Sequence, residues 1–152
     1  MSTATTPNEA PFDQLLVDIA DYVDAHEIAR PDAYRIARYC LLDALGCAFD
    51  ALSYPECTKL LGPVWPGTIV RNGARVPGTQ LELDPVAAAF ALGSMVRWTD
   101  FNDTFYAADA GHPSDNLGGV LMMADAVSRT QAARGDAVMT MRDVLTALIK
   151  VY

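Results

Sequence analysis

Pairs of apolar residues recur every four positions between residues 36 and 49. These pairs are Ile36 and Ala37, Cys40 and Leu41, Ala44 and Leu45, and Ala48 and Phe49. Because an α-helix turns once in about 3.6 residues, this spacing places the whole set on one broad face. We therefore predict a helix over residues 32–52 that packs on more than one neighbour. Gly46 within this helix is expected to mark a close contact with another helix.

Similar spacing predicts helices in several other parts of the chain. The predicted segments are residues 12–24, a short piece at 56–61, residues 85–98 after the Asp84-Pro85 start, residues 117–129, and a last helix that begins at a capping box formed by Thr140 and Asp143. Asp before Pro is a typical helix start, since Asp caps the first turn and Pro fits its first position.

One short β-hairpin is expected in residues 67–78, GTIVRNGARVPG, with its turn at Asn72-Gly73. The predicted fold class is therefore all-α, mainly helical, with one small β-hairpin near residues 67–78. Residues 1–11 contain Pro7 and Pro11 among small polar residues, and we expect a flexible N-terminal arm there. Residues 12–152 are expected to form one domain, and the last helix is still apolar and uncapped where it stops.

The charge balance excludes some classes of partner. The chain has 19 acidic and 11 basic residues, a formal net charge of −8, and its basic residues form no stripe that could bind phosphates, so nucleic acid is not an expected partner. No segment reaches the roughly eighteen apolar residues of a membrane span, and the start has no leader-like pattern. We expect a soluble cytoplasmic protein with no membrane partner.

The cysteines Cys40, Cys47 and Cys57 are odd in number, so a disulfide framework is not expected. They also lack the short spacing and neighbouring histidines of a metal site. We interpret them as buried or partly buried thiols, and no metal or cofactor is expected.

Polar residues concentrate in residues 99–119, TDFNDTFYAADAGHPSDNLGG, between two predicted helices. A calcium loop starting at Asp100 would need glycine where Phe105 stands and glutamate where Gly111 stands. A single histidine gives weak support for zinc, and neither a serine nucleophile motif nor a phosphate loop is present. The composition fits a loop that holds a small polar ligand and moves protons.

A purely structural interpretation of the same loop also stands. Ser114, Asp115 or Asn116 could serve only to cap the helix that begins at Leu117. His112 lies in a Gly-His-Pro turn, and an imidazole can both donate and accept a proton, so it is the candidate proton carrier. His26 is interpreted as a helix-terminal residue, and Trp98 and Tyr106 as packing groups.

Two runs in this stretch, DFNDT (residues 100–104) and GHPSDNLGG (residues 111–119), resemble a motif of the MmgE/PrpD family. The preceding segments NGARVPGT (residues 72–79) and DPVAAAFALGSMVRW (residues 84–98) resemble the family at the matching place. The resemblance extends from about residue 12 to the end of the chain. It implies a longer protein with a large helical domain and a smaller α+β lid domain. Residues 12–152 would be the N-terminal portion of that helical domain, truncated at its C-terminal end.

The resemblance also implies an activity, the dehydration of 2-methylcitrate to 2-methylaconitate in propionate breakdown, without an iron–sulfur cluster. Family members that decarboxylate cis-aconitate use an aspartate, a threonine and a histidine that match Asp100, Thr104 and His112. We expect His112 and Asp100 to be catalytic, as a proton carrier and its partner, and Thr104 to bind substrate by donating a hydrogen bond. The spacer between Thr104 and His112 is longer than in the decarboxylases.

Other functions remain open at this point. The chain could belong to another lyase or epimerase that acts on a polycarboxylate, or form a non-catalytic helical interaction domain. Near the site only Arg97 and His112 are basic, which is little for a tricarboxylate. We therefore expect half of an active site with little turnover alone, and a homodimer for the full-length protein.

Overall fold

The computed structural model describes residues 12–152, and these fold into six α-helices, one 3₁₀ helix and two short antiparallel strand pairs. The elements are α1 (Gln14–Ala25), α2 (Pro31–Ala51), α3 (Pro55–Thr58), β1 (Ala74–Arg75), β2 (Glu82–Leu83), α4 (Pro85–Arg97), β3 (Phe105–Tyr106), β4 (Ala110–Gly111), the 3₁₀ helix Pro113–Asn116, α5 (Leu117–Arg134) and α6 (Met141–Val151). The predicted fold class is confirmed. The predicted flexible arm, residues 1–11, lies outside the described residues.

Helix α4 lies in the middle of the core, between α2 and α5. Its small side chains Ala87, Ala88 and Ala91 are buried, which lets neighbouring backbones come close. At Gly118 of α5 an added Cβ would run into the carbonyl oxygen of Ala89. The close contact expected at Gly46 is wrong, since a Cβ there would meet nothing within 4 Å. The middle of α4 and the start of α5 are therefore in close contact.

Two predicted helix starts are confirmed by hydrogen bonds. The Asp84 carboxylate accepts from the backbone N–H groups of Val86 and Ala87, both at 3.0 Å. At the start of α6 the Thr140 N–H donates to the Asp143 carboxylate at 2.7 Å, and the Asp143 N–H donates to the Thr140 hydroxyl at 3.3 Å. The hydrogen bonds from the Thr140 N–H and hydroxyl lower the pKa of Asp143.

The small hairpin is present, but its strands pair differently from the sequence-based expectation. Strand β1 pairs with β2, with Ala74 opposite Leu83. Residues 74–75, which were expected to lie in the second strand of the hairpin, therefore form its first strand, and the turn comes after them. The Thr79 N–H donates to the Val76 carbonyl at 3.2 Å, and Gly78 has a φ of 74°. Pro followed by a positive-φ Gly is typical of a type II turn. This turn at Pro77-Gly78 forms the hairpin in place of Asn72-Gly73.

The three cysteines are free thiols, with Cys47 and Cys57 buried and Cys40 partly buried. Burial raises the pKa of each, and the interpretation as buried or partly buried thiols is confirmed. Among residues 12–152, no three His, Cys, Asp or Glu side chains lie close enough together to form a candidate metal site. No helix in the same part of the chain is long and apolar enough to cross a membrane.

Helix α1 differs from the others because none of its residues is buried. Its apolar stripe is exposed, and the stripe consists of Leu15, Leu16, Ile19, Tyr22 and Val23. His26 follows the last turn and stacks on Tyr22 with ring centroids 5.0 Å apart, so its helix-terminal position is confirmed.

Candidate active site

The polar stretch connects the end of α4 to the start of α5. The chain leaves α4 at Arg97, turns back on itself through the hairpin formed by β3 and β4, and enters α5 through the 3₁₀ helix. This second hairpin was not expected from the sequence. Phe105 pairs with Gly111 and Tyr106 with Ala110. Because α4 and α5 are packed together, both ends of the loop have fixed positions.

The hairpin brings two of the candidate residues together. Thr104 directly precedes β3 and His112 directly follows β4. Continued by one residue, the register that pairs Phe105 with Gly111 places Thr104 across from His112. Opposed residues of an antiparallel pair have Cα atoms about 4.5–5.5 Å apart. Thr104 is exposed, so its hydroxyl is accessible to a ligand.

The ring of His112 is held by a backbone hydrogen bond. Its Nδ1 lies 2.8 Å from the carbonyl oxygen of Asp103, and a carbonyl oxygen can only accept, so Nδ1 carries the hydrogen. In a neutral imidazole, Nε2 is then the unprotonated nitrogen. The His112 side chain is 28% exposed. The structure thus presents a ring with a defined tautomer and partial access from solvent.

Asp100 lies on the Nε2 side of this ring, with its Oδ1 3.9 Å from Nε2. Its backbone has a φ of 53°, a left-handed conformation that Asp tolerates better than most residues. The same Oδ1 lies 2.6 Å from Nη1 of Arg97. Of the three residues singled out from the sequence, Asp100 and Thr104 therefore both lie next to His112, Asp100 by its side-chain distance and Thr104 by the register of the hairpin.

Arg97 ends α4 and is the centre of a polar network. Besides Asp100, its Nη1 donates to Oδ1 of Asn102 at 2.9 Å, and its Nε lies 3.4 Å from Oδ1 of Asp115. Arg97 was expected as one of two cations available to a substrate. Its guanidinium is instead engaged by two carboxylates and an amide.

Asn102 and Ser114 form a buried pair that sequence reasoning missed. They are 4% and 1% exposed, and Nδ2 of Asn102 donates to Oγ of Ser114 at 2.7 Å. The Ser114 N–H also donates to Oδ1 of Asp103 at 3.1 Å. A polar residue inside a loop is ordinarily solvated, so the sequence alone gave no reason to expect burial. The pair joins the DFNDT segment to the turn that follows His112.

Ser114, Asp115 and Asn116 were possible caps of α5, and this interpretation is wrong because no side chain makes a capping hydrogen bond there. Asn116 occupies the cap position of α5 but accepts no hydrogen bond there, and its amide donates to the Pro113 carbonyl at 3.2 Å. Ser114 is turned to Asn102 and Asp115 to Arg97. The polar side chains are thus used to hold the loop together.

The two aromatic residues that were interpreted as packing groups differ from each other. Trp98 packs against the core and lies 6.5 Å from Tyr54, measured between ring centroids. Tyr106 is 81% exposed, so the packing role expected for it is wrong. Its position on β3 places it on the surface of the hairpin.

The inner side of the loop contacts the C-terminal end of the described chain. Burial and the neighbouring Asp103 carboxylate raise the pKa of Tyr152. Burial and the same carboxylate also raise the pKa of Cys40 on α2. The half-buried Asp103 side chain therefore lies near Cys40 and Tyr152, and its backbone carbonyl holds the His112 ring.

Comparison with known proteins gives consistent matches over the same residues. The MmgE/PrpD N-terminal domain matches residues 17–152. The 2-methylcitrate dehydratase of Cupriavidus necator is 61% identical over 153 residues, which cover 100% of this chain and 32% of the relative. The 2-methylcitrate dehydratase of Escherichia coli K12 is 61% identical over 141 residues, covering 93% of this chain and 29% of the relative.

A more distant relative shows the same partial coverage. The mitochondrial 2-methylcitrate dehydratase of Yarrowia lipolytica is 47% identical over 154 residues, covering 100% of this chain and 30% of the relative. The chain thus spans about a third of the length of the curated relatives it matches. The family match extends over the whole helical core and the polar loop, and the chain belongs to the MmgE/PrpD family.

Proposed function

We propose that this chain supplies one wall of the active site of an enzyme that removes water from 2-methylcitrate. The observation that carries the proposal is the convergence of Asp100, Thr104 and His112 at one loop. Two relatives that are each 61% identical to this chain are named for this activity. Because the chain spans about a third of their length, activity, substrate and residue roles are proposals for the longer protein.

The reaction needs two proton transfers. A C–H bond next to a carboxylate and the bond between a carbon and the hydroxyl oxygen break, a C=C bond forms, and water leaves. One group must accept the carbon-bound proton and another must protonate the departing hydroxyl. His112 is suited to accept the proton, since its Nδ1 is held by a carbonyl and its Nε2 is the unprotonated nitrogen.

The other two residues support this step. A proton on Nε2 gives a positive imidazolium, and the Asp100 carboxylate 3.9 Å away stabilises that charge. The exposed Thr104 hydroxyl, across from His112, donates a hydrogen bond to substrate. The second proton carrier and the cations that neutralise a tricarboxylate are expected from the rest of the enzyme, because Arg97 is already ion-paired.

The proposal is tested with a chimera. Residues 1–152 of this chain replace the matching first third of the Cupriavidus necator relative, and the conjugated product is followed by its ultraviolet absorbance. We expect the chimera to dehydrate 2-methylcitrate, and the 152-residue chain alone to show little turnover. The variant His112→Asn should lower kcat of the chimera by about 10²- to 10⁴-fold, whereas His26→Asn should leave it unchanged.

Three results would count against the proposal. They are a folded chimera without dehydratase activity, a His112→Asn variant that is as active as its parent, and a chimera that prefers to decarboxylate cis-aconitate. A stable complex formed by the 152-residue chain through its exposed α1 stripe, without any activity in the chimera, would favour an interaction domain instead. The homodimer expected for the longer protein and the cytoplasmic location stay predictions, to be tested by light scattering and by fractionation.

A further inference from the structure

We infer that Arg97, acting through Asn102, is a positioning residue that holds Asp100 and His112 in their relative positions, and is not a binding group for a substrate carboxylate. The inference rests on the proposed function, since it assigns a role within the same site. An arginine beside a site for a tricarboxylate would ordinarily be expected to bind the substrate directly, and the inference differs from that expectation.

The contacts of Arg97 leave little room for a substrate. A guanidinium has five N–H donors in a planar fork. Nη1 is shared by Asp100 at 2.6 Å and Asn102 at 2.9 Å, and Nε faces Asp115 at 3.4 Å. The side chain is 36% exposed, so one face of the fork is covered by the loop. A substrate carboxylate that binds two donors of the fork would need Nη2 together with Nη1 or Nε, and both of these already face side chains of the loop.

Asn102 connects Arg97 to Ser114, which lies on the other side of the loop. Its Oδ1 accepts from Arg97 and its Nδ2 donates to Ser114 at 2.7 Å, so both ends of its amide are used. Asn102 lies two residues from Asp100 and two from Thr104, and Ser114 lies two residues from His112. The contacts from Arg97 through Asn102 to Ser114 therefore connect the segment that contains Asp100 to the segment that follows His112.

The backbone of the loop depends on the same contacts. Asp103, next to Asn102, supplies the carbonyl that holds Nδ1 of His112 at 2.8 Å, and its carboxylate accepts from the Ser114 N–H at 3.1 Å. Asp100 keeps a left-handed φ of 53° while its side chain meets Arg97. Loss of the Arg97 contacts should therefore release Asp100 and loosen the hydrogen bond that sets the His112 tautomer.

The first test is independent of activity. In the 152-residue chain labelled with ¹⁵N, the histidine ring shifts report which nitrogen carries the hydrogen. We expect a predominant Nδ1–H form for His112 when its ring is neutral, and a shift toward a mixture of both tautomers in Arg97→Lys and in Asn102→Ala. Lysine retains the charge but not the planar fork. Ser114→Ala, which removes only a hydroxyl, replaces Asn102→Ala if that variant does not fold.

The controls lie in the same chain. Arg129→Lys alters a more buried arginine that pairs with Glu82 at 2.8 Å, far along α5 from the loop, and it should leave the His112 shifts unchanged. His26 should keep its shifts in every variant. An unchanged His112 tautomer in both Arg97→Lys and Asn102→Ala would overturn the inference.

The second test separates positioning from substrate binding in the chimera. A positioning role predicts that Arg97→Lys lowers kcat by about tenfold or more while KM stays within about twofold, whereas loss of a substrate-binding group raises KM. A raised KM with an unchanged kcat would overturn the inference. If the parent chimera has no dehydratase activity, the proposed function fails, and the tautomer measurement still decides whether Arg97 positions the loop.

Discussion

Nε2 of His112 and Oδ1 of Asp100 are 3.9 Å apart, too far for a direct hydrogen bond. Each side chain is anchored elsewhere, His112 on the Asp103 carbonyl and Asp100 on Arg97. The gap between them is thus set by two separate anchors. A proton that reaches Nε2 would place a positive charge beside a carboxylate without any rearrangement of the loop.

The left-handed backbone of Asp100 predicts an unusual order of stabilities. Glycine adopts a positive φ without strain while alanine does not, so Asp100→Gly should be more stable than Asp100→Ala by about 1 kcal/mol. Urea unfolding of the two variants measures the difference. At Asp109, which has no positive φ, glycine should be no more stable than alanine. The same order at both positions would argue against strain at Asp100.

The hydroxyl of Thr104 is expected to act on substrate and not on the fold. Thr104→Val keeps the shape of the side chain and removes the donor. A hydrogen bond to a charged group contributes about 1.5–3 kcal/mol, so kcat/KM of the chimera should fall about tenfold to a hundredfold. The melting temperature should not change, because the side chain is exposed. Thr104→Ser should retain most of the activity, and full activity of Thr104→Val would rule out the assigned contact.

The contact between α4 and α5 predicts opposite effects at two adjacent glycines. A Cβ at Gly118 would meet the Ala89 carbonyl, whereas one at Gly119 would meet nothing within 4 Å. Gly118→Ala should therefore destabilise the chain by about 1–3 kcal/mol, and Gly119→Ala should stabilise it by about 0.5–1 kcal/mol through higher helix propensity. Thermal unfolding compares them, and equal effects would mean that α4 and α5 are not in close contact.

The capping box of α6 predicts a dependence of stability on pH. The hydrogen bonds from Thr140 lower the pKa of Asp143 below 3.8, the ordinary value for an aspartate side chain. A carboxyl group whose pKa is lower in the folded chain stabilises the fold above its unfolded pKa, and this contribution is lost as the pH falls through the lowered value. Asp143→Asn should show a smaller loss of stability on acidification below pH 3.8. Denaturant titrations at several pH values test this, with Asp136→Asn as an exposed control.

The helices could be predicted from sequence because their apolar spacing and capping residues are local. The predicted segment 32–52 agrees closely with α2 (Pro31–Ala51), and the Asp84-Pro85 and Thr140 starts are those of α4 and α6. The hairpin turn could not be placed, because Asn72-Gly73 and Pro77-Gly78 are both good turn sequences. Which one forms depends on where β2 lies in the folded chain.

The site was predicted only in part. The motif pointed to Asp100, Thr104 and His112, and the structure brings them together, while their catalytic roles stay predictions. The contacts of Arg97 with Asn102 and Asp115 were not predicted, because they cross a loop whose path depends on the β3–β4 hairpin. Strands of two residues leave too weak a periodic pattern to be recognised in a sequence. Gly46 and Gly118 show the same limit, since sequence does not say which glycine faces a neighbour.

The β3–β4 hairpin also bears on how this site can vary among relatives. Its tip, residues 107–109, is closed by a hydrogen bond from the Ala107 N–H to the Asp109 carbonyl at 2.9 Å, and these residues are exposed. Exposed tips tolerate insertions and deletions that leave the base of a hairpin intact. Evolution can therefore lengthen or shorten the spacer between Thr104 and His112 while both stay opposite each other, so spacer length is a poor guide to the chemistry of the site.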